Sequence, residues 1–387
     1  MVTVFTPIYN RAYIVEELYN SLLGQISYNL EWLIVDDGST DNIAELVNQW
    51  QCNSNPFPIH FIQQENGGKH RAVNRGVREA KGEAFFIVDS DDYLVDNAIQ
   101  LIENWWKDVA GDDSFAGVSG LKAEKDMCTI GGEVAFDGYV DATNLERAQY
   151  GLKGDKAEVY KTEILKKYPF PEFDGENFIT EAVVWDKIAY EGYKIRWYNQ
   201  IIYICEYRED GLTHSGAELF YRNPKGWGLY ISQNRQFGKS DDRQDYLAKW
   251  NYFEMLHSKL TDEEIMNNLR ITRAELKYLT RYIKNTIEFI GKNIAIYGLG
   301  KRGQQMIQLY QATSVTIKYV LDKNKKNFDF PQLNLDEELP DVDAIIITPK
   351  AEQDELIKWL SKKTNIKLWR YKEWEDTVFS PQRRDNG

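Results

Sequence analysis

Along residues 2–120, short apolar runs rich in β-branched residues alternate with amphipathic stretches. VTVFT, EWLIV, IHFIQ and AFFIV each end in a polar turn that leads into helical spacing. That alternation predicts strands joined by helices in a parallel α/β sheet. Ligands of such sheets sit beyond the carboxyl ends of the strands, so chemistry is expected in the residues that follow each run. These read Thr6-Pro7-Ile8-Tyr9-Asn10-Arg11, Asp36-Asp37-Gly38-Ser39, Asn66-Gly67-Gly68-Lys69 and Asp89-Ser90-Asp91-Asp92, which brings four strand ends to one rim.

From about 120 to 210 the periodicity is mixed, with an amphipathic helix over roughly 178–191 and two strand-like runs, KIRWYN and IIYICEY. Residues 217–290 carry helical spacing and many aromatic and charged side chains. At Asn293 a new β-run begins, and NIAIYGLGKRG, TIKYVLD, DAIIITPK and IKLWRY outline a second, smaller Rossmann-like unit. The expected organisation is a first domain over 1–215, a helical extension over 216–290, a Rossmann-like unit over 291–375 and a disordered tail over 376–387.

Composition narrows the classes. A chain of 387 residues exceeds one ordinary core, in keeping with two domains. Its mean hydropathy of −0.54 leaves no room for an extended membrane span. Cys52, Cys128 and Cys205 are odd in number and lack CxxC spacing, which argues against a disulfide framework and a zinc site. With no basic-then-apolar leader at the N-terminus, a cytoplasmic location is expected. A formal charge of −13 without a dominant Lys/Arg block argues against nucleic acid as a partner.

Asp89-Ser90-Asp91-Asp92 packs three carboxylates into four residues, and these repel one another unless something positive joins them. A hard cation such as Mg²⁺ or Mn²⁺ takes carboxylate oxygens and bridges to diphosphate oxygens. A single Asp would suffice to cap a following helix; a cluster is more than that role needs. Asp36-Asp37-Gly38-Ser39-Thr40-Asp41 reads on its own as a turn and cap before the next helix, although a carboxylate on this rim can also accept the imide N–H of uracil. Asn66-Gly67-Gly68 is compatible with a plain turn, while Lys69, His70 and Arg71 beside it can counter phosphate charge.

In this order, TPIYN, VDDGSTD, NGGKHRAVNRG and VDSDD resemble the inverting glycosyltransferases of family 2, which have the GT-A fold. The resemblance runs from residue 1 to about 210. It implies a GT-A nucleotide-sugar-binding domain in which Thr6, Pro7, Tyr9, Arg11, Asp36, Asp37, Asn66, Gly67, Lys69, Asp89 and Ser90 hold the nucleotide of a UDP-sugar. It further implies that Asp89-Ser90-Asp91 is the DxD motif, with Asp91 as the direct ligand of Mn²⁺ or Mg²⁺ and Asp89 beside it. The family places a general base at the start of a late helix, usually in a Glu-Asp pair. Here Thr180-Glu181 stands in that place, so Glu181 is the expected base and Glu176 the second choice; an acid stabilising the helix dipole is the alternative for Glu181. Ala72-Val73-Asn74 departs from the commoner pattern, which has Arg in the middle.

His214, in GLTHSG, is where some GT-A enzymes supply a further metal ligand, although a lone loop histidine is commonly just exposed. Trp185, Trp197 and Trp227 can stack on sugar rings or serve as core. The implied acceptor is a glycan or lipid-linked molecule in surface polysaccharide synthesis, with peripheral contact at the inner membrane face through the basic helices near 268–290. Two rivals remain. Gly298-Leu299-Gly300-Lys301-Arg302-Gly303, with Asp322 following 24 positions after Gly298, meets the dinucleotide pattern of an NAD-dependent oxidoreductase. The other rival is a catalytically inactive sugar-nucleotide-binding protein.

Overall fold

The computed structural model describes residues 1–206, 216–277, 279, 292–300, 302–304, 306–307, 316–322, 331–333, 337, 339–349, 353–371 and 373. His214 and the tail expected from 376 lie outside the described residues. The chain divides into two compact units, Met1–Ser240 and Asp241–Gly387.

The strands of the first unit are β1 (Val2–Ile8), β2 (Leu30–Asp36), β3 (Ile59–Gln63), β4 (Ala84–Ile87), β5 (Tyr93–Leu94), β6 (Phe115–Ala123), β7 (Tyr139–Ala142), β8 (Lys156–Lys161) and β9 (Lys194–Ile204). Its helices are α1 (Glu16–Leu23), α2 (Ile43–Cys52), α3 (Lys69–Glu79), α4 (Ala98–Val109), α5 (Thr162–Lys167), α6 (Ala182–Tyr190), α7 (Gly216–Arg222) and α8 (Pro224–Gln236). One sheet runs β3-β2-β1-β4-β8-β6-β9-β5, with β7 paired to β9. The expected parallel half is β3-β2-β1-β4. Beyond β4 the sheet turns mixed, because β8 is antiparallel to both β4 and β6.

Both faces of the sheet are covered, which is why β1 and β2 read as continuous apolar runs. Val2, Val4 and Ile8 of β1 join Leu18 and Leu22 of α1, Val47 of α2 and Ile102 of α4 on one face. Phe5 joins Ala72 and Val73 of α3 and Val183 and Ile188 of α6 on the other. Full burial of such side chains contributes about 1.5–3 kcal/mol each. Tyr19, Trp32 and Trp50 stack under the first face, and Trp32 Nε1 donates to Thr6 Oγ1 at 3.0 Å.

KIRWYN and the first four residues of IIYICEY are not separate strands: β9 runs through both and ends at Ile204. Exposed Asn199 and Gln200 are extra residues opposite Ser119–Leu121 of β6, and a register shift there absorbs them without ending the strand. The helix expected from about 178 starts at Ala182. Asn223 Oδ1 accepts the Asn177 and Phe178 N–H groups at 2.9 and 3.1 Å, which holds that stretch out of helix.

The second unit contains α9 (Asp242–Leu256) and α10 (Asp262–Leu269), each begun by a capping box at Asp241 or Thr261. It also contains the parallel sheet β12-β11-β10-β13-β14 (Gln332–Leu333, Thr316–Leu321, Asn293–Tyr297, Ala344–Ile347 and Lys367–Arg370) and α11 (Gln353–Leu360). At its glycine turn, the Leu299 N–H donates to Asp322 Oδ2 at 2.6 Å.

Gly68 is the N-cap of α3 at φ +94°, and a β-carbon there would lie 1.7 Å from the Asn177 carbonyl oxygen. Gly68→Ala therefore combines an unfavourable backbone region with overlap against another backbone segment. A loss of about 1–3 kcal/mol in denaturant unfolding is expected; an unchanged midpoint would mean that the Asn177 segment does not pack there.

Candidate active site

A cavity of about 1240 Å³ opens at the carboxyl ends of β1, β2 and β4. Pro7, Tyr9, Arg11, Asp37, Asn66, Lys69, Asp89, Ser90, Asp91 and Glu181 all line it. Of the other residues expected on this rim, Thr6 and Asp36 are fully buried beneath it. Thr6 accepts the Trp32 indole, and Asp36 accepts the Ser39 N–H at 2.9 Å and Gln63 Nε2 at 3.1 Å. Gly67 contributes its backbone to the turn, and Gly68 rather than Gly67 reaches the cavity.

The rim is built by the chain tying its own turns together. Asp37 Oδ1 accepts the Gly67 N–H at 3.0 Å and Gln64 Nε2 at 2.8 Å, and Oδ2 accepts the Gly68 N–H at 2.7 Å. The end of β2 thus fixes the start of α3, where a carboxylate also complements the helix dipole. Asn10, at φ +51°, receives the Thr40 N–H at 2.7 Å and donates its own N–H to Ser39 Oγ at 2.8 Å, joining the first two motifs.

Within α3 the side chains divide their work. Lys69 faces the cavity and pairs with Asp89 at 2.7 Å and Glu181 at 2.9 Å. Arg71 turns away and donates to the carbonyls of Gly67, Phe173 and Glu176. Asn74 bonds Phe170 in both directions, at 2.9 and 2.8 Å. Arg71 and Asn74 therefore brace the 170–176 loop that leads to Glu181. Burial and the neighbouring Arg71 push His70 down to about 4, so its imidazole is neutral at physiological pH.

The acidic turn is equally partitioned. Tyr203 Oη accepts the Asp89 N–H at 3.0 Å and donates to Asp92 Oδ2 at 2.7 Å, while the Glu206 N–H donates to Asp92 Oδ1 at 2.9 Å. Burial and the Asp89 charge push Asp92 up to about 6. Asp89, buried but facing Lys69 and Lys122, is held below the usual carboxylate range. No hydrogen bond or ion pair from another side chain reaches the Asp91 carboxylate among the described residues, and burial together with Asp89 raises its affinity for a proton. Such a group is relieved by a cation. The described residues do not bring three His, Cys, Asp or Glu together as a ready cage. A hard ion here would complete its shell from substrate oxygens and water, and Asp91 fits that donor set.

Glu181 sits at the N-cap of α6 and makes no side-chain cap bond. Glu176 is instead buried, with both carboxylate oxygens taking the Lys225 and Gly226 N–H groups at the start of α8. It does not reach the cavity. Trp197 is fully buried, whereas Trp185 is packed on Tyr160 and borders the cavity.

The far wall was not anticipated from sequence: Lys122 of β6, Asn144, Arg147, and Lys156 and Glu158 of β8 all line it. KAEVYK alternates as an ordinary half-exposed strand does, and nothing in such a pattern marks the polar face as lining a cavity. Lys156 donates to the carbonyls of Ile130, Lys153 and Asp155, and burial pushes it down to about 8.

Residues 3–117 match the family described as Glycosyl transferase family 2. Glycosyltransferase GlyG of Streptococcus pneumoniae is 39% identical over 103 residues, which is 26% of this chain and 34% of that protein. Chondroitin synthase of Pasteurella multocida is 39% identical over 101 residues, 26% of this chain and 10% of its own. The matched segment thus spans about a third or less of these relatives. Among solved structures, S. aureus TarS 1-349 in complex with UDP-GlcNAc superimposes with a TM-score of 0.51 at 19% identity, covering 74% of this chain and 83% of that one. At that identity the likeness establishes a shared GT-A architecture.

Burial pushes Glu158 up to about 7, with Arg147 at 3.5 Å as its nearest opposing charge. A raised carboxyl favours the folded state fully below the ordinary carboxyl range, and that contribution is lost as pH rises through about 7. Glu158→Gln removes the titration. Its stability relative to wild type should therefore be about 1–3 kcal/mol more favourable near pH 8 than near pH 5 in denaturant melts. A difference that does not change with pH would contradict this.

Proposed function

The N-terminal domain belongs to glycosyl transferase family 2, and on that premise we propose that it transfers a sugar, with inversion, from a nucleotide diphosphate donor to a hydroxyl of a glycan or lipid-linked acceptor. A UDP-sugar is the proposed donor. The observation that carries this reading is the shared cavity, where Asp91 has no side-chain partner among the described residues and Lys69 and Glu181 meet beside it. The UDP-GlcNAc carried by TarS supports the donor class.

Tyr9, 49% exposed on the rim, offers a ring for the base, and Asn66 and Arg11 offer polar groups to the nucleotide. A Mg²⁺ or Mn²⁺ ion, when bound, would be held by Asp91 with Asp89 adjacent, and would neutralise charge on the diphosphate. Glu181 accepts the proton of the acceptor hydroxyl as its oxygen bonds to the anomeric carbon, and the bond from that carbon to the diphosphate oxygen breaks. The electron pair leaves with the diphosphate, and no covalent sugar–enzyme species is needed. Lys69, 2.9 Å from the Glu181 carboxylate, holds that side chain at the cavity edge.

Among the described residues no helix is long and apolar enough to cross a membrane.

A thermal-shift series of nucleotide sugars with and without Mn²⁺ tests the donor class. A bound ligand at about 100 times its Kd adds roughly 2.7 kcal/mol. A UDP-sugar that stabilises only with metal supports the reading, while equal shifts under chelator would remove the metal from it. Glu181→Gln should lower turnover about 10²–10⁴-fold at unchanged donor affinity and melting temperature. Near-wild-type turnover in that variant would dismiss Glu181 as the base.

A further inference from the structure

Most of the cationic side chains on the cavity wall are already engaged within the protein. Lys69 is shared between Asp89 and Glu181. Lys156 is spent on three carbonyls, Lys239 lies 2.6 Å from buried Asp186, and Arg147 faces Glu158. Lys122 differs. It is near the end of β6, in register with Tyr203 of β9, and its Nζ lies 4.2 Å from the centroid of the Tyr203 ring. Among the described residues no carboxylate comes within ion-pair distance of that ammonium and no hydrogen bond is made to it. The half-buried ammonium thus lines the cavity over the Tyr203 ring, with no oxygen acceptor for its N–H donors among the described residues.

The ring that carries Lys122 is the one whose hydroxyl pins Asp89 and Asp92, so the ammonium stands beside the acidic turn. The summed field of Asp89, Asp92 and Asp155 keeps it charged. A cation held there on an aromatic face, with no carboxylate within ion-pair distance among the described residues, is available to an incoming anion. Under the donor reading above, on which this inference rests, the anion arriving at the acidic turn is a nucleoside diphosphate. Its charge grows as the sugar departs and exceeds what one divalent ion neutralises.

We propose that Lys122 is a diphosphate-binding residue of the donor site, donating to phosphate oxygens from the β6 side of the acidic turn. A phosphate group within an acceptor has the same chemistry, and the test separates the two.

Calorimetric titration of the full-length chain with UDP, inorganic diphosphate and uridine, in the presence of Mn²⁺, compares wild type with Lys122→Met and Lys122→Arg. A charge-assisted contact predicts about 10–100-fold weaker UDP and diphosphate binding in the Met variant, unchanged uridine binding and substantial recovery in the Arg variant. Equal weakening of UDP and uridine would make Lys122 a support of the pocket and overturn the proposal. UDP affinity preserved, with only the KM for acceptor raised, would assign the ammonium to an acceptor anion and overturn it too. If the Met variant fails to fold, the Arg variant and Lys122→Gln are compared in the same titrations, and identical UDP affinity in those two contradicts the proposal. Wild-type protein that does not bind UDP overturns the donor reading itself, whereas wild-type UDP binding that no substitution alters overturns the Lys122 assignment alone.

Discussion

Asp36, Asp37, Asp89, Asp91, Asp92 and Glu181 crowd one end of the first sheet, and carboxylates gathered at low dielectric repel one another strongly. The surrounding structure is arranged to answer that repulsion. Asp36 and Asp37 are satisfied by N–H donors of the adjoining turns, and Asp92 by a tyrosine hydroxyl and a backbone amide. Asp89 and Glu181 share one ammonium. Among the described residues no other residue donates to the Asp91 carboxylate, and a carboxylate so placed in a cavity is where an external cation is favourable.

Each of these answers also joins two parts of the fold. Asp37 connects β2 to α3, Tyr203 connects β9 to the turn after β4, and Lys69 connects α3 to α6. Charge compensation and site assembly are therefore the same set of contacts, and the site depends on the sheet's mixed second half as much as on its parallel first half. The far wall, from β6 and β8, adds charged groups held by burial rather than by the motifs.

Much of this was legible in sequence. Four polar turns after apolar runs gave the rim, because a strand end on a parallel sheet has only one side to face. The second unit was legible for the same reason: NIAIYGLG and DAIIITPK follow one strand-and-turn rule and form adjacent parallel strands. Roles within a motif were harder to read. Arg71 and Lys69 are two residues apart, yet one braces a loop and the other faces the cavity, since helical geometry turns neighbours to different sides. Thr6 and Asp36 belong to site motifs but serve the layer beneath, where the Trp32 indole and the Ser39 amide need acceptors. Glu176 and Glu181 are near-equivalent in sequence; only the long-range arrival of α8 separates a helix-capping acid from one on the cavity. Lys122 and Glu158 left no signal, because their partners are distant in the chain.

The claim that Asp91 is the open position of an otherwise compensated rim is tested most directly by anomalous diffraction from crystals of the chain containing UDP and Mn²⁺. The account predicts a manganese peak about 2.0–2.2 Å from an Asp91 carboxylate oxygen, bridging to the diphosphate, with Asp92 still bonded to Tyr203. UDP seated in the cavity with no metal at Asp91, or a manganese ion held by Asp92 in place of Tyr203, would contradict it.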